Sequence, residues 1–424
     1  MTDSFLTLDI EKPTAGGRML ARQNGQIVLV WGAIPGERVR VRIERTGKGV
    51  LFAETTEVLS PSRDRRDAAA DWRCGGNVLA HVSYDRQREL KSEIIRDAFT
   101  RIGRMPLDTA PPVIGSPEQG YRMRARLHVR GGRIGFVREG SHDVCAVGPT
   151  AQMLPATVAW IDAAERRLRD DKLTGLTSIE LAENVPANER ACHLELEPGT
   201  AAAPFAGLAT DALTGLTAQV LGRHGIERLF GVGVVYDSLT YSDSGDGALN
   251  LRRDARAFFQ GNRFLLETLV RHVSTLVPDG PVVDLYAGVG LFGLSLAAAR
   301  AAEATLVEGD PISGHDLEEN ARPYADHARV IRTSVEDFLH HDKPSATETF
   351  IVDPPRTGMS QAAVRALARL QPTRIVYVSC DIATLARDAR VLVDSDYSLH
   401  DVSAIDLFPN TAHVETIAVF QRQA

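Results

Sequence analysis

Cys380 ends an apolar, strand-like run, Ile375-Val376-Tyr377-Val378-Ser379. Two carboxylates flank it in chain order: Asp353, in Asp353-Pro354-Pro355-Arg356, and Glu415, in Phe408-Pro409-Asn410-Thr411-Ala412-His413-Val414-Glu415. A thiolate can add to an electron-poor carbon, and a carboxylate can remove a proton afterwards. Taken singly, each has a bland reading. Most solitary cysteines are small buried hydrophobes, and a strand acid is usually solvated. Their joint appearance behind a cofactor-type loop gives the chemical reading its weight.

That loop begins with a short apolar strand, Val282-Val283-Asp284-Leu285, and continues as Tyr286-Ala287-Gly288-Val289-Gly290-Leu291-Phe292-Gly293. Gly288, Gly290 and Gly293 satisfy G-x-G-x-x-G, and Glu308 follows Gly290 by 18 residues at the end of the next strand. This spacing suits an acid that accepts hydrogen bonds from both ribose hydroxyls of a nucleotide. NAD and S-adenosylmethionine proteins share this pattern. Asp284 before the glycines favours the latter, because a carboxylate repels a pyrophosphate and suits a cationic amino-acid end. Asp-Pro-Pro after the strand Phe350-Ile351-Val352 forms a rigid turn, since proline fixes φ and removes amide donors. Such a turn at the carboxyl edge of a parallel sheet holds Asp353 where ligands bind.

The elements that must position these groups are legible in outline. From residue 254 onward strands alternate with helices, which predicts a parallel sheet covered on both faces. Residues 5–60 carry short alternating runs, including 26–31 and 38–43, that predict a small OB-type barrel. A charged linker follows at 60–67, then a helical pattern over 84–103. The block from about 115 to 248 reads as strand-rich, with a hairpin of 126–130 and 133–137 around Gly131-Gly132. We found no internal repeat.

Composition narrows the function classes. The 424 residues suffice for two or three domains with real cores, and abundant alanine predicts helices over much of the surface. The net charge of −7 excludes a uniformly basic protein. Tyr121 to Gly140 nevertheless holds Arg122, Arg124, Arg126, Arg130, Arg133 and Arg138 against the single acid Glu139, either a solvated strand face or a phosphate-contacting stripe. Met1-Thr2-Asp3-Ser4 carries no basic or apolar leader pattern, so no signal peptide is expected. The near-apolar stretch from Val282 to Ala302 is broken by Asp284 and glycines, so no membrane span is expected. Cysteines at 74, 145, 192 and 380 make no secreted disulfide framework. A cytoplasmic protein is expected.

A thiol, a base and a methyl sulfonium together suit one difficult reaction. Carbon 5 of uracil is a poor nucleophile until a thiolate adds to C6 and creates an enolate. After C5 is alkylated, a base must remove its hydrogen so that the thiol can leave. Asp and Arg around Pro354-Pro355 argue against an adenine or cytosine amino group as the target, where an Asn-Pro-Pro-aromatic turn is usual.

At this point the sequence resembles the RNA uracil-C5 methyltransferases. The resemblance rests on Phe258-Phe259-Gln260-Gly261-Asn262, Asp284 to Phe292, Asp353-Pro354-Pro355-Arg356, Val378-Ser379-Cys380 and Phe408 to Glu415. It implies a class I (Rossmann-like) α/β methyltransferase domain over 251–424, a TRAM barrel over 1–62, and a linker helix with a β-rich RNA-binding domain over 63–250. It also implies S-adenosyl-L-methionine as cofactor, Cys380 as nucleophile and Glu415 as general base. Gln260, Tyr286, Glu308 and Asp353 would contact cofactor or target base. The partner would be structured RNA, ribosomal in preference to transfer RNA because of the TRAM barrel, with the target base extruded into the pocket. A monomer is expected.

Many members of that family hold a [4Fe-4S] cluster through a Cys-x5-Cys-x2-Cys run and a distant fourth cysteine. Here Cys74 keeps the middle position, Ala68 and Asn77 replace its neighbours, and Cys145 stands where the fourth is expected. The cluster is therefore expected to be absent or degenerate. The alternatives are a transfer-RNA methyltransferase, an NAD-dependent oxidoreductase built on the glycine turn, and an RNA chaperone retaining an inactive fold. The oxidoreductase leaves Cys380, Glu415 and the Asp-Pro-Pro turn without tasks, and the intact thiol–carboxylate pair disfavours the chaperone.

Overall fold

The computed structural model describes residues 5–68, 70–240, 248–341 and 349–423. Met1 to Ser4, where the lack of a leader was read, lie outside them. Strands β1 (Phe5–Pro13), β2 (Met19–Gln23), β3 (Gln26–Trp31), β4 (Arg38–Gly47) and β5 (Val50–Ser60) close a barrel in the order β1-β2-β3-β5-β4. Alternation sets the pleat: Val39 and Val41 point into a core with Val28, Val30 and Ala53, while Arg38 and Arg40 face out.

Helix α1 (Tyr84–Arg101) and the short strand β6 (Val113–Ile114) follow. Next come β7 (Arg124–Arg130), β8 (Arg133–Val137), β9 (Val144–Ala146), helix α2 (Pro155–Asp170), β10 (Leu176–Glu183), β11 (Arg190–Leu196), β12 (Gly215–Val220) and β13 (Glu227–Gly231). These strands form one sheet in the order β13-β12-β11-β10-β7-β8-β9. The β7–β8 turn takes positive φ at Gly131 and Gly132, as a two-residue hairpin of this hand requires. Helix α2 is an element the strand-rich reading did not anticipate. It starts at a proline that suits a first helical turn and packs Trp160, Ile161, Ala164 and Leu168 onto Leu127, Ile179 and Leu194.

The arginine-rich stretch behaves differently from a free phosphate stripe. Arg124 and Arg126 meet Glu180 at 3.5 and 3.6 Å, and Arg126 meets Glu195 at 2.5 Å. Arg138 pairs with Asp71, and Arg122 donates to Gln152 Oε1 at 2.6 Å. Acids from β10 and β11, far away in sequence, neutralise much of the local charge. Arg130 and Arg133 remain exposed at the hairpin. Cys74 and Cys145, read as remnants of a metal site, are joined in a disulfide with Cα atoms 5.9 Å apart. The bridge ties the segment before α1 to β9.

A two-stranded ribbon, β14 (Val234–Thr240) with β15 (Ala248–Asp254), leads into the C-terminal layers. These are α3 (Leu266–Leu276), β16 (Val282–Leu285), α4 (Gly293–Arg300), β17 (Ala304–Val307), α5 (Pro311–Ala321), β18 (Ala328–Ile331), α6 (Val335–His341), β19 (Thr349–Val352), α7 (Gln361–Leu370), β20 (Arg374–Ser379), α8 (Ile382–Val393), β21 (Tyr397–Ile405) and β22 (Glu415–Arg422). The sheet order is β18-β17-β16-β19-β20-β22-β21-β6, parallel from β18 to β20, with β22 antiparallel between β20 and β21. One core joins α3, α4 and α5 to one face, and a second joins α6, α7 and α8 to the other.

Two upstream elements complete this sheet. Strand β6 pairs in parallel with β21, and α1 sends Ile94, Ile95, Ala98 and Phe99 into the core that holds Leu385, Ala386 and Ala389. Alanine serves the sheets as well as the helices. Ala125, Ala182, Ala191 and Ala218 lie buried within strands, where a small side chain lets neighbouring layers approach. Among the described residues no helix is long and apolar enough to cross a membrane.

Candidate active site

The chain reverses its direction of travel across the sheet between β16 and β19, which opens a crevice at their carboxyl ends. Strand β16 delivers Asp284 and Leu285 to this edge. The turn that follows takes positive φ at Tyr286, Gly288 and Gly290 before α4 begins at Gly293. A Cβ at Gly293 would lie 2.7 Å from Leu306 Cδ2 and 3.0 Å from Asp284 Oδ2, so only glycine lets α4 start this close to the sheet. At Gly288 a Cβ would meet nothing within 4 Å, leaving open space in front of the turn.

Asp284 sits under this turn. It is fully buried, and its Oδ2 accepts from Gly293 N at 2.8 Å. Its Oδ1 has no hydrogen-bond partner among the described residues, and burial pushes the carboxyl up to about 7. Glu308, just past β17, is held by two backbone donors, Gly288 N at 2.8 Å and Asp310 N at 2.6 Å. Each carboxylate oxygen keeps a further lone pair for a hydroxyl donor. Burial raises Glu308 as well. Tyr286 is half-buried and lines a cavity of about 490 Å³ with Glu336, Pro355, Met359 and Arg387.

Asp353 follows β19 and accepts from Gln260 Nε2 at 3.2 Å, which joins the Phe258–Asn262 motif to the Asp-Pro-Pro turn. Burial moves Asp353 up to about 7, with the Gln260 bond acting against it. Three carboxyls therefore cluster around the glycine turn, since Asp353 and Glu308 both act on Asp284. Such a field disfavours a pyrophosphate and favours a sulfonium with an ammonium group. The orphaned Asp284 oxygen, the open space at Gly288 and the free lone pairs of Glu308 fit S-adenosylmethionine.

The thiol and the last carboxylate meet through strand register. Ser379 of β20 pairs with Thr416 of β22, so the antiparallel ladder sets the next residues, Cys380 and Glu415, opposite each other. Cys380 is half-buried. Its thiol is pushed up to about 12, first by burial and then by the Glu415 carboxylate, while a hydrogen bond and positive charge from Arg356 pull the other way. Glu415 is 1% exposed, and its Oε1 has no partner among the described residues. Burial and the nearby Asp353 raise it well above the usual carboxylate range, against Arg356. The His413 ring hydrogen-bonds the Cys380 main chain and is lowered to about 4 by burial and by Arg356.

The structure thus brings Cys380, Glu415, Asp353 and Gln260 into one cluster and sets Glu308 and Tyr286 beside the adjoining turn. Arg356 and His413 are functional candidates that the sequence reading quoted within motifs but gave no individual role. The signal was their place, one beside the Asp-Pro-Pro turn and the other two residues before the acid. The two thiols at the remnant positions are joined to each other in the disulfide. Among the described residues no group of three or more His, Cys, Asp or Glu is arranged to hold a metal.

Comparison with known proteins places this geometry. A family model described as tRNA (Uracil-5-)-methyltransferase matches residues 214–423, and a TRAM domain model matches residues 4–56. A 23S rRNA (uracil(1939)-C(5))-methyltransferase of Alkalilimnicola ehrlichii is 34% identical, covering 96% of this chain and 94% of its own. The enzyme with the same description from Acidithiobacillus ferrooxidans is 32% identical over 97% and 96%. Among solved structures, the Pyrococcus abyssi tRNA (uracil-54, C5)-methyltransferase in complex with S-adenosyl-L-homocysteine superposes with a TM-score of 0.77. It has 25% identity and covers 97% of this chain and 99% of that one. This chain belongs to the RNA uracil-C5 methyltransferases, S-adenosylmethionine-dependent enzymes, here with an N-terminal TRAM domain.

Proposed function

We propose that this enzyme methylates C5 of a uridine in 23S ribosomal RNA through a covalent Cys380 adduct, with Glu415 as general base. The observation that carries the reading is that Cys380 and Glu415 stand one step beyond the Ser379–Thr416 pair of β20 and β22, with the Glu415 carboxyl and Arg356 both acting on the sulfur. Arg356 favours the thiolate, which adds to C6 and moves electron density onto C5. S-adenosylmethionine supplies the methyl group that C5 acquires. Glu415, in its carboxylate form and with an uncommitted oxygen, then takes the proton from C5, and the Cys380 sulfur leaves with its electron pair as C5=C6 re-forms.

Glu308 would hold the ribose hydroxyls, while Gln260, Asp353 and Tyr286 would bound the cofactor's other end and the target base. Both catalytic groups come from one chain, which supports action as a monomer, and we place that action in the cytoplasm. Ribosomal RNA is favoured by the TRAM barrel and by the relatives described above. The likeness to the Pyrococcus abyssi enzyme supports transfer RNA as the second reading. Mass-spectrometric mapping of 5-methyluridine in both RNAs from a strain lacking this gene decides: loss from transfer RNA alone rejects the ribosomal assignment.

Two further outcomes follow from the site. Glu308→Ala removes the charged acceptor for the ribose and frees Gly288 N. Affinity for S-adenosylhomocysteine should fall roughly tenfold to a hundredfold by calorimetry; an unchanged affinity removes Glu308 from the cofactor site. The second outcome concerns pH. A thiol at about 12 is mostly protonated at neutrality, and its thiolate fraction rises with pH. The raised Glu415 carboxyl gains its active form in the same direction. Adduct formation on 5-fluorouridine RNA, where fluorine blocks the final proton removal, should accelerate by roughly tenfold per pH unit from neutrality upward. A flat profile contradicts a buried, protonated resting thiol.

A further inference from the structure

Polar residues are buried on one face of α1 without any need of the sheet that α1 covers. Gln87 and Lys91 lie one helical turn apart and are both fully buried. Both reach the turn that carries the motif before Glu415. Lys91 Nζ donates to Asp406 Oδ1 at 2.6 Å and to Phe408 O at 2.9 Å, and Asp406 is itself fully buried. Gln87 and Asn410 form a reciprocal pair: Gln87 Nε2 donates to Asn410 Oδ1 and Asn410 N donates to Gln87 Oε1, each at 2.9 Å.

More contacts converge from the N-terminal half. Leu79 N donates to Asn410 O at 2.9 Å, Arg66 to Asn410 Oδ1 at 3.0 Å, and Tyr84 to Asp406 Oδ2 at 3.0 Å. Asn410 has a φ of 65°, a left-handed conformation that asparagine tolerates. Within the turn, Thr411 Oγ1 donates to Phe408 O at 2.8 Å and accepts from His413 N at 3.1 Å. His413 then grips the Cys380 main chain, and Glu415 lies two residues on.

Burying a lysine, an aspartate and two amides is costly unless each is paired. Apolar residues would cover the same surface with less penalty. A reciprocal set of directional bonds instead fixes a single arrangement. We infer that Gln87, Lys91, Asp406 and Asn410 form a clasp through which α1, from outside the chain's C-terminal half, sets Cys380 and Glu415 against each other. They are positioning residues, and their role rests on the reading of Cys380 as nucleophile and Glu415 as base.

The test uses the full chain with the paired substitutions Asn410→Gly and Gln87→Met. Glycine keeps the positive φ, and methionine removes the side-chain amide, taking the acceptor from the residue-410 N–H and the Nε2 donor from the Leu79 and Val82 carbonyls. Adduct formation on 5-fluorouridine RNA is followed in single turnover, its endpoint counting the working sites. Calorimetry with S-adenosylhomocysteine checks the cofactor site. The clasp predicts unchanged cofactor affinity and an unchanged endpoint, with the rate per working site slowed about tenfold or more. A native rate per site, with or without fewer sites, overturns it.

If the paired variant does not fold, Gln87→Glu keeps the acceptor for Asn410 N and removes the donor. It should slow the same rate, and a native rate again overturns the clasp. Cys380→Ala and Glu415→Gln are run in parallel. Failure of Cys380→Ala to abolish the adduct, or of Glu415→Gln to trap it, rejects the catalytic reading itself, whereas native behaviour of the clasp variants alone rejects only the clasp.

Discussion

Cys380→Ala is expected to reduce methyl transfer to background, a fall of roughly four orders of magnitude or more. The reason is chemical. Without addition at C6, C5 of a neutral uracil has too little electron density to take a methyl group, and no other group in the cluster can substitute. Asp353, Glu308 and Glu415 are oxygen acids whose raised pKa values mark them as reluctant anions in this buried site. Cofactor affinity should hardly change, because Cys380 follows β20, whereas the glycine turn and Glu308 follow β16 and β17. Transfer of label from methyl-tritiated cofactor to unmodified ribosomal RNA reads the first effect, and calorimetry the second. Full methylation by this variant would sink the covalent mechanism.

Glu415→Gln gives the opposite signature. The side chain keeps its size but loses its basicity, so proton removal from C5 should slow by roughly 10²- to 10⁴-fold. Elimination stalls, and a protein–RNA adduct that survives denaturation accumulates on natural uridine. The electrostatics sharpen this. The Glu415 carboxylate is the second contributor, after burial, to the raised Cys380 thiol. Where Glu415 is ionised, a neutral glutamine removes that repulsion, lowers the thiol pKa and increases the thiolate. Adduct formation should therefore be no slower than in the native enzyme while its resolution fails. A denaturing gel of protein mixed with RNA and cofactor reads both. If no adduct appears while turnover is lost, Glu415 is not the base.

Much of this site was legible beforehand, because its motifs depend on local chain geometry. Glycines at 288, 290 and 293 are demanded by a turn that takes positive φ and brings a helix against a strand. Asp353 precedes two prolines that define its own loop. Cys380 and Glu415 mark the ends of two apolar strands that could be read from their runs of Val and Ile. The hairpin at Gly131-Gly132 and the barrel's alternation were visible for the same reason: each depends on neighbours within a few residues.

The features that were not legible share the opposite property. Six arginines in a row of twenty positions looked like a positive stripe, but Glu180, Glu195 and Asp71 arrive from elsewhere in the fold and pair with three of them. Helix α2 was hidden inside a strand-rich block because its apolar face makes sense only against the sheet it covers. Cys74 and Cys145 were recognised as a related pair, yet their disulfide depended on β9 meeting the segment before α1.

The sequence by itself determined the reacting groups, the cofactor turn, the family and the order of the elements, since local spacing encodes each of these. Only the tertiary structure decided how those groups are poised. Burial raises the thiol and carboxyls, Arg356 and His413 close around Cys380, and β6 and α1 complete a sheet that begins more than a hundred residues later. The Gln87–Asn410 and Lys91–Asp406 bonds span more than three hundred residues. Desolvation and long-range pairing depend on which surfaces come together, and no short stretch of chain carries that information.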